Sequence, residues 1–155
     1  MRLLLLTNCT FDGIVYDVER VMMECLAIKP DLVFLWDEAW FAFACCHPVY
    51  RQRTGMATAK RLCENLQTPE YAARYTAFQA EFPAEAWDDE QKVLDTRLLP
   101  DPAKTRVRVY ATHSTHKTLT SLRQGSMIHD WDQDFKDMLK LMRDANIKDL
   151  GPDPD

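Results

Sequence analysis

Glycine is scarce in this chain, four residues in 155, and proline is modest at eight. That balance describes a globular chain of one domain and excludes a low-complexity or collagen-like one. No apolar run approaches the roughly 20 residues needed to cross a bilayer, so no membrane partner is expected. Lysine and arginine form no dense block, and the net charge is −5. With an isoelectric point near 5.4, that argues against a nucleic-acid surface. An export signal is missing as well. Met1-Arg2-Leu3-Leu4-Leu5-Leu6 starts like one, but polar Thr7-Asn8-Cys9-Thr10 cuts it short, and a buried strand is the better reading. The five cysteines (Cys9, Cys25, Cys45, Cys46, Cys63) are odd in number and follow no regular frame, which suits reduced thiols in a cytoplasmic chain.

What is present is 46% apolar and 28% charged residues, enough for a domain that buries roughly 70% of its unfolded surface. Leu3 to Leu6 reads as a strand ended by the turn-forming run Thr7 to Gly13. Ile14, Val18, Val21, Met22 and Cys25 then recur on one face of a helix. Lys29-Pro30 stops that helix, and Leu32 to Trp36 follows as a second buried strand. Strand, helix and strand with short connections predict a βαβ unit with parallel pairing. The stretch from about Pro48 to Lys104 differs: Ala57 to Leu66 and Glu70 to Phe82 read as helices, and the whole as a helical excursion within the domain. A strand resumes over Val107 to Thr112, and Ser126 to His129 is a candidate fourth. Trp131, Phe135, Met138, Leu139 and Met142 repeat the helical spacing. The expectation is one α/β domain over residues 1–150, mainly parallel sheet flanked by helices with an insertion at 48–104, and a disordered tail at 151–155.

Catalytic groups on such sheets gather beyond the carboxyl ends of the strands. Asp37 follows the second strand directly; its carboxylate could cap a helix, bind a metal or pair with a buried cation. Lys117 lies just beyond the third strand, and Ser114, Thr115 and His116 before it offer hydroxyls and an imidazole suited to a phosphate. A helix starting near Thr118 would add free N–H groups nearby.

Taken in order, Asp37-Glu38-Ala39-Trp40, Ala111-Thr112-His113-Ser114-Thr115-His116-Lys117 and Gln124-Gly125-Ser126-Met127-Ile128-His129 resemble large-domain motifs of the ornithine/lysine/arginine decarboxylases. Thr7-Asn8-Cys9-Thr10-Phe11-Asp12-Gly13 is similar to a loop after an earlier strand in that family. The resemblance implies the aspartate-aminotransferase-like fold of pyridoxal phosphate (PLP) enzymes, and a basic amino acid as substrate. It implies that Lys117 binds the cofactor aldehyde and returns a proton to the substrate Cα, a task suited to a lysine whose free amine is favoured by burial and neighbouring cations. Asp37 would pair with the pyridine nitrogen, and Ala39 would lie against the ring face. Trp40 would offer its indole N–H near the phenolic oxygen, and Ser114 and His116 would hold the phosphate. Asn8 and Thr10 would form the wall beside the ring.

His113 stands where the family resemblance leads one to expect glutamine. The family also supplies flanking parts that are not in this sequence, so the chain reads as a fragment of the large domain, inactive alone, that works as a homo-oligomer or with a complementing chain. Three rivals stand beside this reading: an aminotransferase-type enzyme of the same fold, a non-catalytic remnant or partner subunit, and a metal-binding module. The last is disfavoured by spacing, since only His113-x-x-His116 approaches the separation of a ligand pair.

Overall fold

A computed structural model of the chain describes residues 2–119 and 125–149, with side chains up to residue 141. Its centre is a four-stranded sheet in the order β1-β2-β3-β4. β1 (Leu3–Thr7), β2 (Val33–Asp37) and β3 (Arg108–Ser114) run parallel, and β4 (Ser126–Trp131) pairs antiparallel to β3. The expected α/β class with a mainly parallel sheet is what the chain adopts.

Both parallel crossovers pass through helices. α1 (Val18–Ile28) links β1 to β2, and α2 (Gly55–Leu66), α3 (Pro69–Glu81) and α4 (Glu90–Asp95) lie between β2 and β3. Alternation along each strand decides which side chains meet these helices. Phe34, Trp36, Val109 and Ala111 are fully buried against Val18, Met22 and Leu26 of α1 and Ala59 and Leu62 of α2. Burying each large apolar side chain stabilises the fold by roughly 1.5–3 kcal/mol. The intervening residues face the other way, where Leu3 and Leu5 remain 49% and 59% exposed. On that open face Tyr110 packs edge-on against Phe135 of α6 (Gln133–Asp149) at 5.8 Å and donates its hydroxyl to Asp132 at 2.9 Å. The excursion is tied back to the core by Tyr71 of α3, whose hydroxyl donates to the Pro100 carbonyl at 3.0 Å; burial pushes its pKa up to about 12.

Several boundaries differ from expectation for local reasons. Ile14 is 64% exposed and precedes the helix, because Asp17 caps α1 by accepting from the Arg20 N–H. α2 and α3 begin with Thr54 and Thr68, whose hydroxyls accept from Ala57 and Tyr71 N–H groups. Trp131 closes β4 instead of opening a helix; its indole donates to Cys63 at 3.2 Å, and Asp132 accepts from the Phe135 N–H at the start of α6. The helix expected near Thr118 is, among the described residues, the single turn α5 (Thr115–Thr118), which Thr118 ends and after which Leu119 is extended. The tail at 151–155 lies outside the described residues.

Candidate functional site

The carboxyl ends of β1, β2 and β3 are level with one another: Thr7 pairs with Asp37, and Asp37 with Thr112. The next residues extend the ladders, Asn8 N–H donating to the Asp37 carbonyl and Glu38 N–H to the Thr112 carbonyl, each at 2.9 Å. Strand alternation then divides the rim into two faces.

On the helix-covered face sits a buried polar cluster. The Glu38 side chain is fully buried. Its Oε1 accepts from Asn8 Nδ2 at 2.8 Å and from the Gly55 N–H at 2.6 Å, and its Oε2 meets His113 Nε2 at 2.8 Å. A buried carboxylate is tolerable only when paired and hydrogen-bonded in this way. Gly55 opens α2 so close to the sheet that a Cβ would stand 2.8 Å from Trp36 Cδ1; only glycine brings its N–H to Glu38 here. Asn8 also donates to the Arg53 carbonyl at 3.0 Å, while its Oδ1 has no hydrogen-bond partner among the described residues. The chain of contacts ends at His129, whose Nε2 lies 3.2 Å from His113 Nδ1. Burial, then the neighbouring His113, lowers the His129 pKa, against weaker opposing effects of Glu38 and Asp130.

The other face carries most of the residues picked from the sequence. Asp37 is half-buried at the end of β2, and its Oδ1 accepts from the Ala39 N–H at 3.0 Å. Ser114 is buried at the end of β3; its Oγ lies 3.2 Å from His116 Nδ1, and both line a cleft of about 280 Å³ with Gly125 and Ser126. Lys117 is exposed, its Nζ 5.1 Å from the centre of the Trp40 ring, a cation–π contact. Trp40 meets Phe11 edge-on at 5.2 Å. Thr10 holds the turn before α1 by accepting from the Ile14 N–H at 3.1 Å. It lines a groove of about 450 Å³ with Phe11, Trp40, Phe41, Tyr50 and Thr118.

The structure thus joins Ser114 with His116, Lys117 with Trp40, and Asp37 with Ala39. Asn8 is drawn inward to Glu38 instead of to the rim. The burial expected around Lys117 is not supplied by the described residues. Glu38 and His129, with His113 between them, were missed as a unit by sequence reasoning. A Glu directly after Asp37 and a His in place of glutamine were the available signals. Among the described residues no group of three or more His, Cys, Asp or Glu side chains is arranged to hold a metal ion. Cys9, Cys25, Cys45 and Cys63 have thiols raised above their usual pKa, in each case chiefly by burial.

Over 129 residues the chain is 29% identical to the lysine decarboxylase LdcA of Pseudomonas aeruginosa, a match covering 83% of this chain and 11% of that protein. Over 123 residues it is 28% identical to the biodegradative arginine decarboxylase of Escherichia coli K12, covering 79% of this chain and 11% of the relative. The chain therefore spans about 11% of the length of each. No family model matches it, and no solved structure does.

Proposed function

We propose that this chain is part of the cofactor-binding large domain of a PLP-dependent decarboxylase acting on a basic amino acid. The observation that carries this reading is the common face of Asp37 and Ser114 at the carboxyl end of adjacent parallel strands, with Lys117 three residues past Ser114. The likeness to a lysine and an arginine decarboxylase supports it.

The donor set suits the cofactor. Ser114 Oγ and the His116 imidazole offer hydrogen bonds to phosphate oxygens beside a cleft of about 280 Å³. Asp37 Oδ1 is already oriented by the Ala39 N–H, which leaves Oδ2 for a protonated ring nitrogen. Such a pair at about 4 Å and an effective dielectric near 20 is worth roughly 4 kcal/mol before desolvation. Bound there, PLP supplies an electron sink for the pair left behind when carbon dioxide departs. Lys117 Nζ is the amine for the cofactor aldehyde, and afterwards the group that returns a proton to the substrate Cα. Trp40, within cation–π reach of that amine, keeps Nζ at the rim and places an indole beside the ring. Lys117 is exposed among the described residues, so the dry surroundings that the chemistry needs come from outside them: the rest of the chain, a further segment, a second copy or a complementing chain. The exposure of Leu3 and Leu5 on the same sheet face favours such a covering, since parallel sheets are ordinarily covered on both faces.

The test is an absorbance spectrum of the purified chain with added PLP, beside Lys117→Ala. The expected result is a band near about 420 nm, where a protonated Schiff base of the cofactor absorbs, that disappears in the variant. A band that survives the substitution, or none at all in the unaltered chain, would remove Lys117 from this role.

A further inference from the structure

We propose that Glu38, His113 and His129 form a positioning relay for Lys117, fixing the β3–α5–β4 segment that carries it through one proton held between two imidazoles. This deepens the reading above and rests on Lys117 being the reactive lysine, but it can be tested without cofactor.

The geometry starts at a fixed point. Glu38 is held from β1 by Asn8, from α2 by the Gly55 N–H and from β3 by His113. An ionised carboxylate only accepts, so His113 Nε2 must carry a hydrogen. That leaves His113 Nδ1 facing His129 Nε2 at 3.2 Å, with ring centroids 4.5 Å apart. One hydrogen fits between those two nitrogens. It belongs to His129 if His113 is neutral, and to His113 if that ring is the imidazolium. Protonating both rings puts two N–H groups head to head, and the contact must open.

What the contact holds is the base of the Lys117 segment. His113 precedes Lys117 by four positions on β3, and His129 stands on β4 opposite Ala111. Beyond this tie the segment is closed by the Thr115 N–H donating to the Gly125 carbonyl at 3.0 Å, with His116 Nδ1 3.4 Å from the same oxygen. The charged and titratable groups facing the pair are Glu38 at the end of β2, Asp130 on β4 and, near Glu38, Cys45 from the turn Ala42–Cys46. Glu38 and Asp130 only partly offset the burial and the neighbouring His113 that lower the His129 pKa, and none of these groups relieves the collision caused by protonating both rings. A glutamine at position 113 would donate Nε2 to Glu38 and offer Oε1 to His129, giving the same tie with nothing to titrate. Histidine is therefore what makes the tie sensitive to pH in this chain.

The experiment is amide hydrogen exchange of Thr115 in the cofactor-free protein, expressed as a protection factor, at about pH 8 and about pH 5, in the unaltered chain, His113→Gln and His113→Leu. Protection should fall about tenfold or more on acidification in the unaltered chain and stay within about twofold in His113→Gln. In His113→Leu it should be low at both pH values. Equal protection at both pH values in the unaltered chain, or an acid loss in His113→Gln as large as its own, would overturn the relay. Should a variant fail to fold, side-chain nitrogen shifts of the unaltered protein decide. Thr115 should lose protection as the second ring becomes cationic, and two imidazolium rings with Thr115 still protected would refute the proposal. An absent cofactor band with this exchange behaviour intact would remove the decarboxylase reading and leave the relay standing.

Discussion

Asp37 and Glu38 are neighbours in sequence, yet they belong to two different environments. Glu38 turns to the helix-covered face, loses all contact with solvent and collects donors from Asn8, Gly55 and His113. Asp37 turns to the open face and uses one oxygen on the Ala39 N–H. One step along the strand decides between them. The comparison separates two tasks that a short motif runs together. The inner carboxylate joins β1, β2, β3 and α2 into a platform. The outer one, with Ser114 and Lys117, is presented on it. The inner cluster should therefore matter more to stability than the outer rim residues Asp37, Ser114 and Lys117.

The sharpest way to break that division is Glu38→Ala. It leaves the Asn8 amide, the Gly55 N–H and His113 without their shared acceptor in a site closed to water. Leaving a buried hydrogen-bonding group unsatisfied costs about 1–3 kcal/mol, and this substitution deprives several at once, a large share of a domain's total stability. Urea unfolding should show the transition moved to much lower denaturant, or already passed. A loss below about 1 kcal/mol would mean the cluster is not the anchor that its geometry describes. The next effect is smaller. Thr54 caps α2 just before Gly55, and its hydroxyl accepts from the Ala57 N–H at 3.3 Å. Thr54→Ala should cost about 1 kcal/mol in the same assay, because the helix start that delivers the Gly55 N–H frays without being lost.

Much of this platform was legible in the residues. The apolar runs marked β1 and β2, the alternation over Val107 to Thr112 marked β3, and the positions after them marked the rim; β1, expected to be buried, is covered on one face only and leaves Leu3 and Leu5 exposed. Alternation and spacing could not say that Ile14 falls outside α1, since a capping Asp17 overrides an apolar period that continues through it. Nor could they show that Asn8 points inward. Its partners Glu38 and the Arg53 carbonyl are 30 and 45 positions away in the chain, and contacts of that range leave no periodic trace. His113 was visible as an unexpected residue, but its meaning lay in His129, on an antiparallel strand that only the pairing register locates. Lys117 illustrates the reverse. Its motif was plain in the sequence, while the burial expected around it is absent from the described residues.

A third prediction sharpens the comparison through pH. His129 has a lowered pKa in the folded chain, mainly from burial, so the unfolded chain takes up a proton there more readily than the folded one. Above about pH 6.5, the ordinary histidine value, both states are neutral and the full stability is present. As pH falls through that value toward the lower folded pKa, the unfolded state binds the extra proton and stability declines. The effect should be modest because His129 is only partly buried. Melting temperatures measured between about pH 7.5 and about pH 5.5 should drop on the acid side. His129→Gln should flatten that dependence, and an unchanged slope would assign it to other groups.

The smallest expected effect on stability belongs to the residue with the greatest proposed chemical role. Lys117 makes a cation–π contact with Trp40 from a position exposed among the described residues. Exposed contacts of that kind are worth about 0.5–1 kcal/mol at most, and surface substitutions generally stay within about 0.5 kcal/mol. Lys117→Ala should therefore unfold at nearly the same urea concentration as the unaltered chain while losing the cofactor band altogether. If it instead destabilised the chain as much as Glu38→Ala, Lys117 would have to be part of the platform, and the division between the two faces of the sheet would fail. A silent result in both assays would leave the platform intact and empty the rim of its proposed chemistry. The contrast between these two substitutions, one carboxylate inward and one amine outward, therefore tests the structural and the functional reading independently.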